Sequence, residues 1–189
     1  MKKALLIFGL LLVIFIISYF IKINPKTPST PDENIEAKTE LDCNGIPTPS
    51  QTEGPYYKEG SPKRNNIAEN VPGEKLVITG FVLNKDCKPI ANTWLDFWQA
   101  DSEGVYDNNG YTLRGHQFTD ENGMYRLETI IPAAYGTRPP HIHVKIRSEK
   151  GTSLTSQIYF PNSPQNKTDP IFNQELIIEN GTFNFVLGE

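Results

Sequence analysis

Short segments in which apolar and polar residues alternate dominate the chain from residue 42 to its end. Each is rich in β-branched and aromatic residues and is bounded by turn-forming residues. These segments are residues 75–83, 93–100, 123–129, 141–147, 154–160 and 181–187. Because no helical periodicity interrupts them, the pattern predicts an all-β fold, a single antiparallel β-sandwich domain over residues 42–189. The first two segments flank a turn at Cys87 and are expected to pair as a hairpin.

The first 23 residues follow a different pattern. Residues 4–21 contain no charge, two lysines precede them, and Lys22 follows. A helix of this length spans roughly 27 Å, about the hydrocarbon thickness of a bilayer. A cleaved signal peptide would have a shorter apolar core and a small-residue cleavage site, and a buried core helix would need a partner surface. We therefore expect residues 1–23 to be an uncleaved signal anchor, a transmembrane helix with its lysines inside the cell.

Residues 24–41 are rich in Pro, Thr, Ser, Lys and Glu, which predicts a semi-extended linker. The domain after it would be tethered to the membrane and lie on its outer side. Three of the 18 lysines and arginines precede residue 24, so the rest of the chain carries 15 basic and 22 acidic residues. Since this acidic remainder has no basic stripe, nucleic acid is not an expected partner.

Cys43 and Cys87 are the only cysteines of the chain. Outside the cytoplasm such a pair forms a disulfide more often than a metal site. We expect a bridge that ties an irregular arm starting at Cys43 to the turn at Cys87, the alternative being two free thiols. Closing so long a loop is worth about 4 kcal/mol in the chain-entropy account.

Residues 135–146 contain two of the three histidines in the chain. His141 and His143 are two residues apart in a predicted strand, so their side chains share one face. Two imidazoles placed in this way can bind a metal ion, or they can form a polar surface. Tyr135, in a Pro- and Gly-rich loop just upstream, offers a hard oxygen ligand once it is deprotonated. With a single further histidine, a metal site must take its other ligands from oxygen or sulfur.

Five motifs follow one another within residues 43–160. They are Thr-Glu-Gly-Pro-Tyr-Tyr at 52–57, Trp-Gln-Ala-Asp at 98–101, Leu-Arg-Gly-His-Gln-Phe-Thr-Asp at 113–120, Gly-Met-Tyr at 123–125 and Arg-Pro-Pro-His-Ile-His at 138–143. In this order they resemble the intradiol ring-cleavage dioxygenases, the catechol and protocatechuate dioxygenases that use non-haem Fe(III). The arm and the turn at residues 87–90 are similar to the short secreted members of that family.

The resemblance implies a set of iron ligands. Carried over position by position, they are Tyr106, Tyr135, His141 and His143. Phenolate oxygens suit the hard Fe(III) ion, and its charge favours the deprotonated phenol. Tyr111 competes with Tyr106, which is favoured only by its spacing from the Trp-Gln-Ala-Asp motif. Tyr125 and Tyr159 fall within strands, where a core or surface aromatic is the expected interpretation.

The resemblance also implies roles for other residues. Tyr135 and Arg138 would be catalytic, the first as the axial ligand that a catechol displaces and the second as a stabiliser of developing negative charge. Gln157 would act beside them through a hydrogen bond. The substrate pocket would be lined by Gly54, Pro55 and Tyr56. His116 matches a family position that is not a ligand, and we expect it either to be structural or to support the ligand residues from behind.

The expected reaction is Fe(III)-dependent cleavage of a catechol by O2 to a cis,cis-muconate-type product. Gly136 stands where the family commonly has proline, and the helical dimerisation segment of the catechol dioxygenases is absent. The particular catechol and the oligomeric state therefore stay open. Two other functions are compatible with the residues. One is a transthyretin-like binding or adhesion module with a vestigial metal site, and the other is a Zn(II) hydrolase, which would need a third nitrogen or carboxylate ligand.

Overall fold

The computed structural model describes residues 43–189, and the expected signal anchor (1–23) and linker (24–41) lie outside the described residues. The strands are β1 (Lys75–Leu83), β2 (Trp94–Gln99), β3 (Arg114–Phe118), β4 (Met124–Ile130), β5 (His141–Arg147), β6 (Ser153–Tyr159) and β7 (Phe185–Val186). The helical elements of this region are two 3₁₀ turns, Pro164–Lys167 and Gln174–Leu176. Neither helical turn of residues 43–189 has the length and hydrophobicity of a membrane-spanning helix.

The strands form two sheets that enclose one core. One sheet has the order β4-β1-β7 and the other the order β3-β2-β5-β6. The four-stranded sheet is antiparallel throughout, whereas β1 pairs antiparallel with β4 and parallel with β7. The predicted all-β sandwich is confirmed, but its description as purely antiparallel is wrong at β7. A long connection precedes β7, so no tight turn forces it to run opposite to its neighbour.

The hairpin expected between β1 and β2 is not formed, because the two strands lie in different sheets. The turn at Cys87 does reverse the chain: the Asn84 N–H donates to Lys88 O at 2.9 Å, and the Ile90 N–H donates to Val82 O at 2.8 Å. The returning segment is residues 88–90, and the chain then crosses to the other sheet before β2. Both strands have an apolar face, and placing them in opposite sheets buries both faces in the same core.

The inward residues of the four-stranded sheet fix the orientation of the histidines. Ile142, Val144 and Ile146 of β5 are fully buried in the core between the sheets. Because side chains alternate along a strand, His141 and His143 must point to the opposite, outer face of this sheet. The shared face predicted for the two histidines is therefore confirmed, and a second layer must cover them.

That layer is the arm, residues 43–66, which crosses the outer face of the four-stranded sheet. The Gln51 N–H bonds Thr155 O in β6 at 2.8 Å, and the Arg64 N–H bonds His116 O in β3 at 2.9 Å. These two contacts lie at opposite edges of the sheet, so the arm spans all four strands. The predicted disulfide between Cys43 and Cys87 is present and fixes the start of the arm to the turn after β1.

Candidate functional site

His141 and His143 are buried beneath the arm, with 4% and 3% of their surface exposed. The His141 Nδ1–H donates to Pro139 O at 2.7 Å, which leaves a lone pair on Nε2 of the neutral ring. The two Nε2 atoms are 3.1 Å apart. Burial lowers the pKa of His141 to about 4, and burial with the nearby His141 and arginine charges lowers the pKa of His143 well below its usual value. Both rings are therefore neutral at pH 7 and can act as ligands.

The ring of His143 is held from two sides. Trp98, directly opposite it on β2, stacks on the imidazole with 4.8 Å between ring centroids and 7° between planes. On the arm, a Cβ added at Gly54 would lie 3.5 Å from Cε1 of His143. The imidazole therefore has little freedom to turn away from His141.

Tyr106 lies in the loop that follows β2 and is 5% exposed. Its hydroxyl is 3.4 Å from Nε2 of His141. Burial raises the pKa of Tyr106, and the charges of Arg138 and Arg114 partly oppose that increase. The competing Tyr111 has a different environment, since its hydroxyl donates to Glu59 O at 2.8 Å. The structure therefore places the Tyr106 hydroxyl beside the histidines, whereas the Tyr111 hydroxyl is hydrogen-bonded to a backbone carbonyl of the arm.

The loop that positions Tyr106 is organised by Asp107. Its carboxylate accepts backbone N–H bonds of 2.7–3.0 Å from residues 109, 110 and 112, and these bonds hold the pKa of Asp107 well below its usual range. Its backbone carbonyl accepts two bonds, 3.2 and 3.1 Å, from the buried guanidinium of Arg114. Side chain and main chain of Asp107 thus fix the residue next to Tyr106.

We expect Asp107→Asn to lower stability at pH 7 and to lose this effect in acid. A carboxylate with a depressed folded-state pKa contributes stability above its unfolded pKa of about 4, and this contribution is lost as the pH falls through the folded value. The urea midpoints of wild type and variant should therefore differ most near neutrality and begin to converge as the pH falls below about 4. Asp86→Asn, at an exposed carboxylate in the Cys87 turn, is the control. A pH-independent difference for Asp107→Asn would contradict this assignment.

Tyr135 supplies a second phenol next to Tyr106. It lies between β4 and β5 with 37% of its surface exposed, and its ring is edge-on to that of Tyr106 at 5.7 Å between centroids. Its loop is closed by the Arg138 N–H, which donates to Tyr135 O at 2.8 Å. Gly136 within this turn has φ of +55°. Proline, whose φ is fixed near −65°, could not occupy that position.

The arm contributes the roof of this cluster. Tyr56 stacks on Tyr106 with 4.3 Å between centroids and 10° between planes, and its hydroxyl is hydrogen-bonded to that of Tyr135. Of the three expected pocket residues, Gly54 and Tyr56 contact the cluster, whereas Pro55 is exposed in the turn between them. The arm thus covers one side of the site with an aromatic side chain.

Arg138 is held beside the cluster by three acceptors. Its Nε donates to Oδ2 of Asp169 at 2.9 Å, and its Nη2 donates to Oε1 of Gln157 at 2.7 Å and to the hydroxyl of Tyr159 at 2.8 Å. The Gln157 Nε2 donates in turn to Thr52 O on the arm at 2.9 Å. The guanidinium is therefore oriented by β6, the arm and the segment after the first 3₁₀ turn.

Two members of this network are missed by the sequence analysis. Tyr159 follows Gln157 by two residues, so a shared strand face could have revealed it, but a plain strand aromatic was the simpler interpretation. Asp169 lies in an irregular segment 31 residues from Arg138, and no local pattern indicates their contact. The interpretation of Tyr125 as a core aromatic is confirmed, since its ring is buried between the sheets.

The donor atoms fit a hard, highly charged metal ion. Two neutral imidazole nitrogens and the Tyr106 hydroxyl converge, and the phenol of Tyr135 lies beside them. Phenolate oxygens are preferred by highly charged cations. Residues 43–189 contain no group of three His, Cys, Asp or Glu side chains that could hold a metal ion, so the third ligand that a zinc hydrolase needs is not found there.

A separate cavity of about 500 Å³ lies between the first residues of the arm and residues 175–186. Its lining includes Cys43 and Glu179 but none of the histidines or tyrosines of the cluster. We place the functional site at the cluster, because the converging donors and lowered histidine pKa values are found there.

Comparison with known proteins gives consistent matches. A family model described as "Dioxygenase" matches residues 52–184. The protocatechuate 3,4-dioxygenase beta chain of Burkholderia cepacia is 37% identical over 128 residues, which are 58% of this chain and 54% of that protein. Catechol 1,2-dioxygenase of Acinetobacter baylyi is 30% identical over 152 residues, which are 65% of this chain and 49% of that protein. The chain therefore spans about half the length of these curated relatives.

Solved structures give a similar result. The dioxygenase domain of a dioxygenase carbohydrate-binding protein fusion from the cellulolytic bacterium Streptomyces sp. SirexAA-E superposes with a TM-score of 0.72 at 44% identity, covering 76% of this chain and 99% of that chain. The 3-chlorocatechol 1,2-dioxygenase of Rhodococcus opacus superposes with a TM-score of 0.70 at 30% identity, covering 75% of this chain and 73% of that chain.

Proposed function

The chain belongs to the intradiol ring-cleavage dioxygenase family, and we propose that it cleaves a catechol-type ring between the two hydroxylated carbons with O2. The product would be of the cis,cis-muconate type, and the cofactor a non-haem Fe(III) ion. The observation that carries this proposal is the convergence of two neutral imidazoles and a buried phenol with a second phenol beside them. The activities for which the relatives are named support the substrate class.

The proposed iron ligands are Tyr106, Tyr135, His141 and His143. When bound, the ferric ion would supply a Lewis acid for the catechol and an electron acceptor that makes the ring reactive towards O2. The low pKa of both histidines keeps each imidazole neutral at pH 7, with one ring nitrogen free of a proton. The hydrogen bond from His141 Nδ1 to Pro139 O orients the first ring, and stacking on Trp98 orients the second.

Tyr135, in the phenolate form that it would have as an iron ligand, is the proposed acceptor of a catechol proton. It is the more exposed of the two phenols, and its hydroxyl already pairs with another phenol hydroxyl, that of Tyr56. A catechol hydroxyl is a partner of the same chemical type, so it can replace Tyr56 without leaving Tyr135 unpaired. Gly54 and Tyr56, which roof the cluster, are the proposed substrate contacts, together with Pro55 at the turn.

Arg138 is the proposed stabiliser of negative charge on the substrate. Its guanidinium is fixed before the reaction by Asp169, Gln157 and Tyr159, so no reorganisation is needed when charge develops. The Gln157 side chain connects this arginine to the arm through Thr52 O. Loss of Gln157 would therefore affect both the arginine and the roof of the site.

We further propose that the N-terminal segment anchors the protein in a membrane with residues 42–189 on the outer side. The disulfide between Cys43 and Cys87 supports this, because such bonds persist in oxidising compartments. Protease added to intact cells should release the domain if the proposal is correct. Release only after the cells are broken would contradict it.

The reaction is tested with iron-loaded full-length protein in detergent, using catechol, protocatechuate and hydroxyquinol. We expect a red-brown protein, stoichiometric O2 uptake, and a ring-opened diacid that carries both atoms of ¹⁸O2. A binding module with a vestigial site would be colourless and would leave each substrate unchanged. A product opened next to the hydroxylated carbons, and not between them, would also contradict the proposal.

A further inference from the structure

A row of three polar residues crosses the outer face of the four-stranded sheet beside the site. His116 of β3, Asp96 of β2 and Lys145 of β5 lie directly opposite one another in the strand register. Trp98 and His143 form the adjacent row on the same face, two residues along their strands. Asp96 is 2% exposed, and a buried carboxylate is costly unless it is hydrogen-bonded. The partners of Asp96 therefore indicate what it holds.

Those partners come from the arm. Ser61 Oγ donates to Oδ1 of Asp96 at 2.7 Å. The hydroxyl of Tyr57 faces the same carboxylate, and burial together with Asp96 raises the pKa of Tyr57 to about 12. His116 adds a second contact at this point, since its Nδ1–H donates to Ser61 O at 2.7 Å. Asp96 is thus the centre of a polar attachment between the arm and the sheet.

Lys145 makes a weaker attachment one strand away. Its ammonium pairs with Glu53 and lies 3.7 Å from the ring centroid of Tyr57. Both members of the ion pair are partly exposed, and such pairs contribute little to stability. The buried carboxylate of Asp96 is therefore the stronger attachment.

Ser61, His116 and Asp96 are the residue types of a hydrolytic triad, but their hydrogen bonds are arranged differently. The hydroxyl proton of Ser61 is directed to Asp96, and the Nδ1–H of His116 is directed to a backbone carbonyl. Nδ1 of His116 lies 3.2 Å from Oγ of Ser61, but because this nitrogen carries the proton donated to Ser61 O, it has no lone pair with which to take the hydroxyl proton as nucleophilic catalysis would require. The cluster is a mechanical attachment.

The attachment points bracket the part of the arm that touches the site. Gly54 and Tyr56 lie between Glu53 and Tyr57. A Cβ added at Gly54 would lie 3.5 Å from Cε1 of His143, and Tyr56 stacks on Tyr106. We propose that Asp96 is a positioning residue, which fixes the arm through Tyr57 and Ser61 and so holds Gly54 and Tyr56 over the site. Its consequence for substrate binding rests on the proposed function, whereas its consequence for the arm does not.

The test compares Asp96→Ala with Asp96→Asn, whose amide oxygen can still accept from Ser61. Hydrogen exchange is measured for the arm amides of residues 51–61 and for β5. In Asp96→Ala we expect arm exchange about tenfold faster or more, with β5 little changed, and in Asp96→Asn a smaller increase. For the iron-loaded enzyme, KM for catechol should rise about tenfold with a smaller change in kcat.

Tyr125→Phe is the matched control, because it removes a buried hydrogen bond of 2.8 Å to Phe183 O and lies on β4 in the other sheet. It should leave arm exchange and KM unchanged. If Asp96→Ala does not fold, the milder Ser61→Ala and Tyr57→Phe variants decide the question by the same readouts.

Arm exchange that stays at the wild-type rate, or rises equally in β5, would overturn the positioning role. A wild-type protein without turnover would refute the proposed function and still leave the exchange result to decide the role of Asp96.

Discussion

Tyr106→Phe should abolish both the colour and the turnover of the iron-loaded protein. The change removes a single oxygen that lies 3.4 Å from Nε2 of His141 in a buried position, and it keeps the ring that stacks on Tyr56. Losing a residue that hydrogen-bonds to a metal ligand lowers metal affinity or activity about 10–100-fold. Losing a ligand itself should therefore lower kcat/KM further, on the order of 10³-fold. The visible spectrum and the iron content are measured together with O2 uptake.

Tyr111→Phe is the matched control, since it removes a phenol oxygen from the same loop. The hydroxyl of Tyr111 donates to Glu59 O, and within residues 43–189 it forms no hydrogen bond to a histidine. This variant should keep its colour and most of its activity. Wild-type activity in Tyr106→Phe would refute the ligand set, and loss of colour in Tyr111→Phe alone would exchange the roles of the two tyrosines.

The predictions that succeed from sequence are those that local periodicity determines. The bounds of β1 and β5 agree with the predicted segments, and the common face of His141 and His143 follows from the two-residue repeat of a strand. The strand β3 is not predicted, because Arg114–Phe118 lacks an alternating apolar pattern. Its strand conformation depends on pairing with β2, which is a tertiary property.

The failures concern contacts between distant parts of the chain. The turn at Cys87 is correctly located, yet after residue 90 the chain crosses, so that β2 lies in the other sheet. Burial of both apolar faces in one core decides which strands pair. Asp169 and Tyr159 contact Arg138 from segments that are distant in sequence, so the tertiary fold brings them together and no local pattern indicates the contact. The motif resemblance identifies the residues of the site, and the structure identifies the residues that orient them.

Arg138→Met should remove most of the turnover while the protein keeps its colour. Arg138 is not among the proposed ligands, so iron binding should persist while stabilisation of negative charge is lost. Removing one such preorganised donor costs about 10²–10³-fold in kcat. Arg138→Lys should recover little of this activity, because an ammonium cannot reproduce the fork that reaches Asp169, Gln157 and Tyr159 together.

Stability must be separated from catalysis in this test, because the Asp169 side chain is fully buried and would lose its cation. Breaking a buried ion pair costs about 3–5 kcal/mol, because the remaining charge is left without a partner. Asp169→Asn removes that charge, so the double variant should recover stability without recovering kcat. Arg126→Met, in the exposed pair with Glu128 on the other sheet, is the control for loss of an arginine. It should change neither the stability nor kcat appreciably. A colourless Arg138→Met would mean that the arginine supports iron binding, and unchanged kcat would remove it from the catalytic residues.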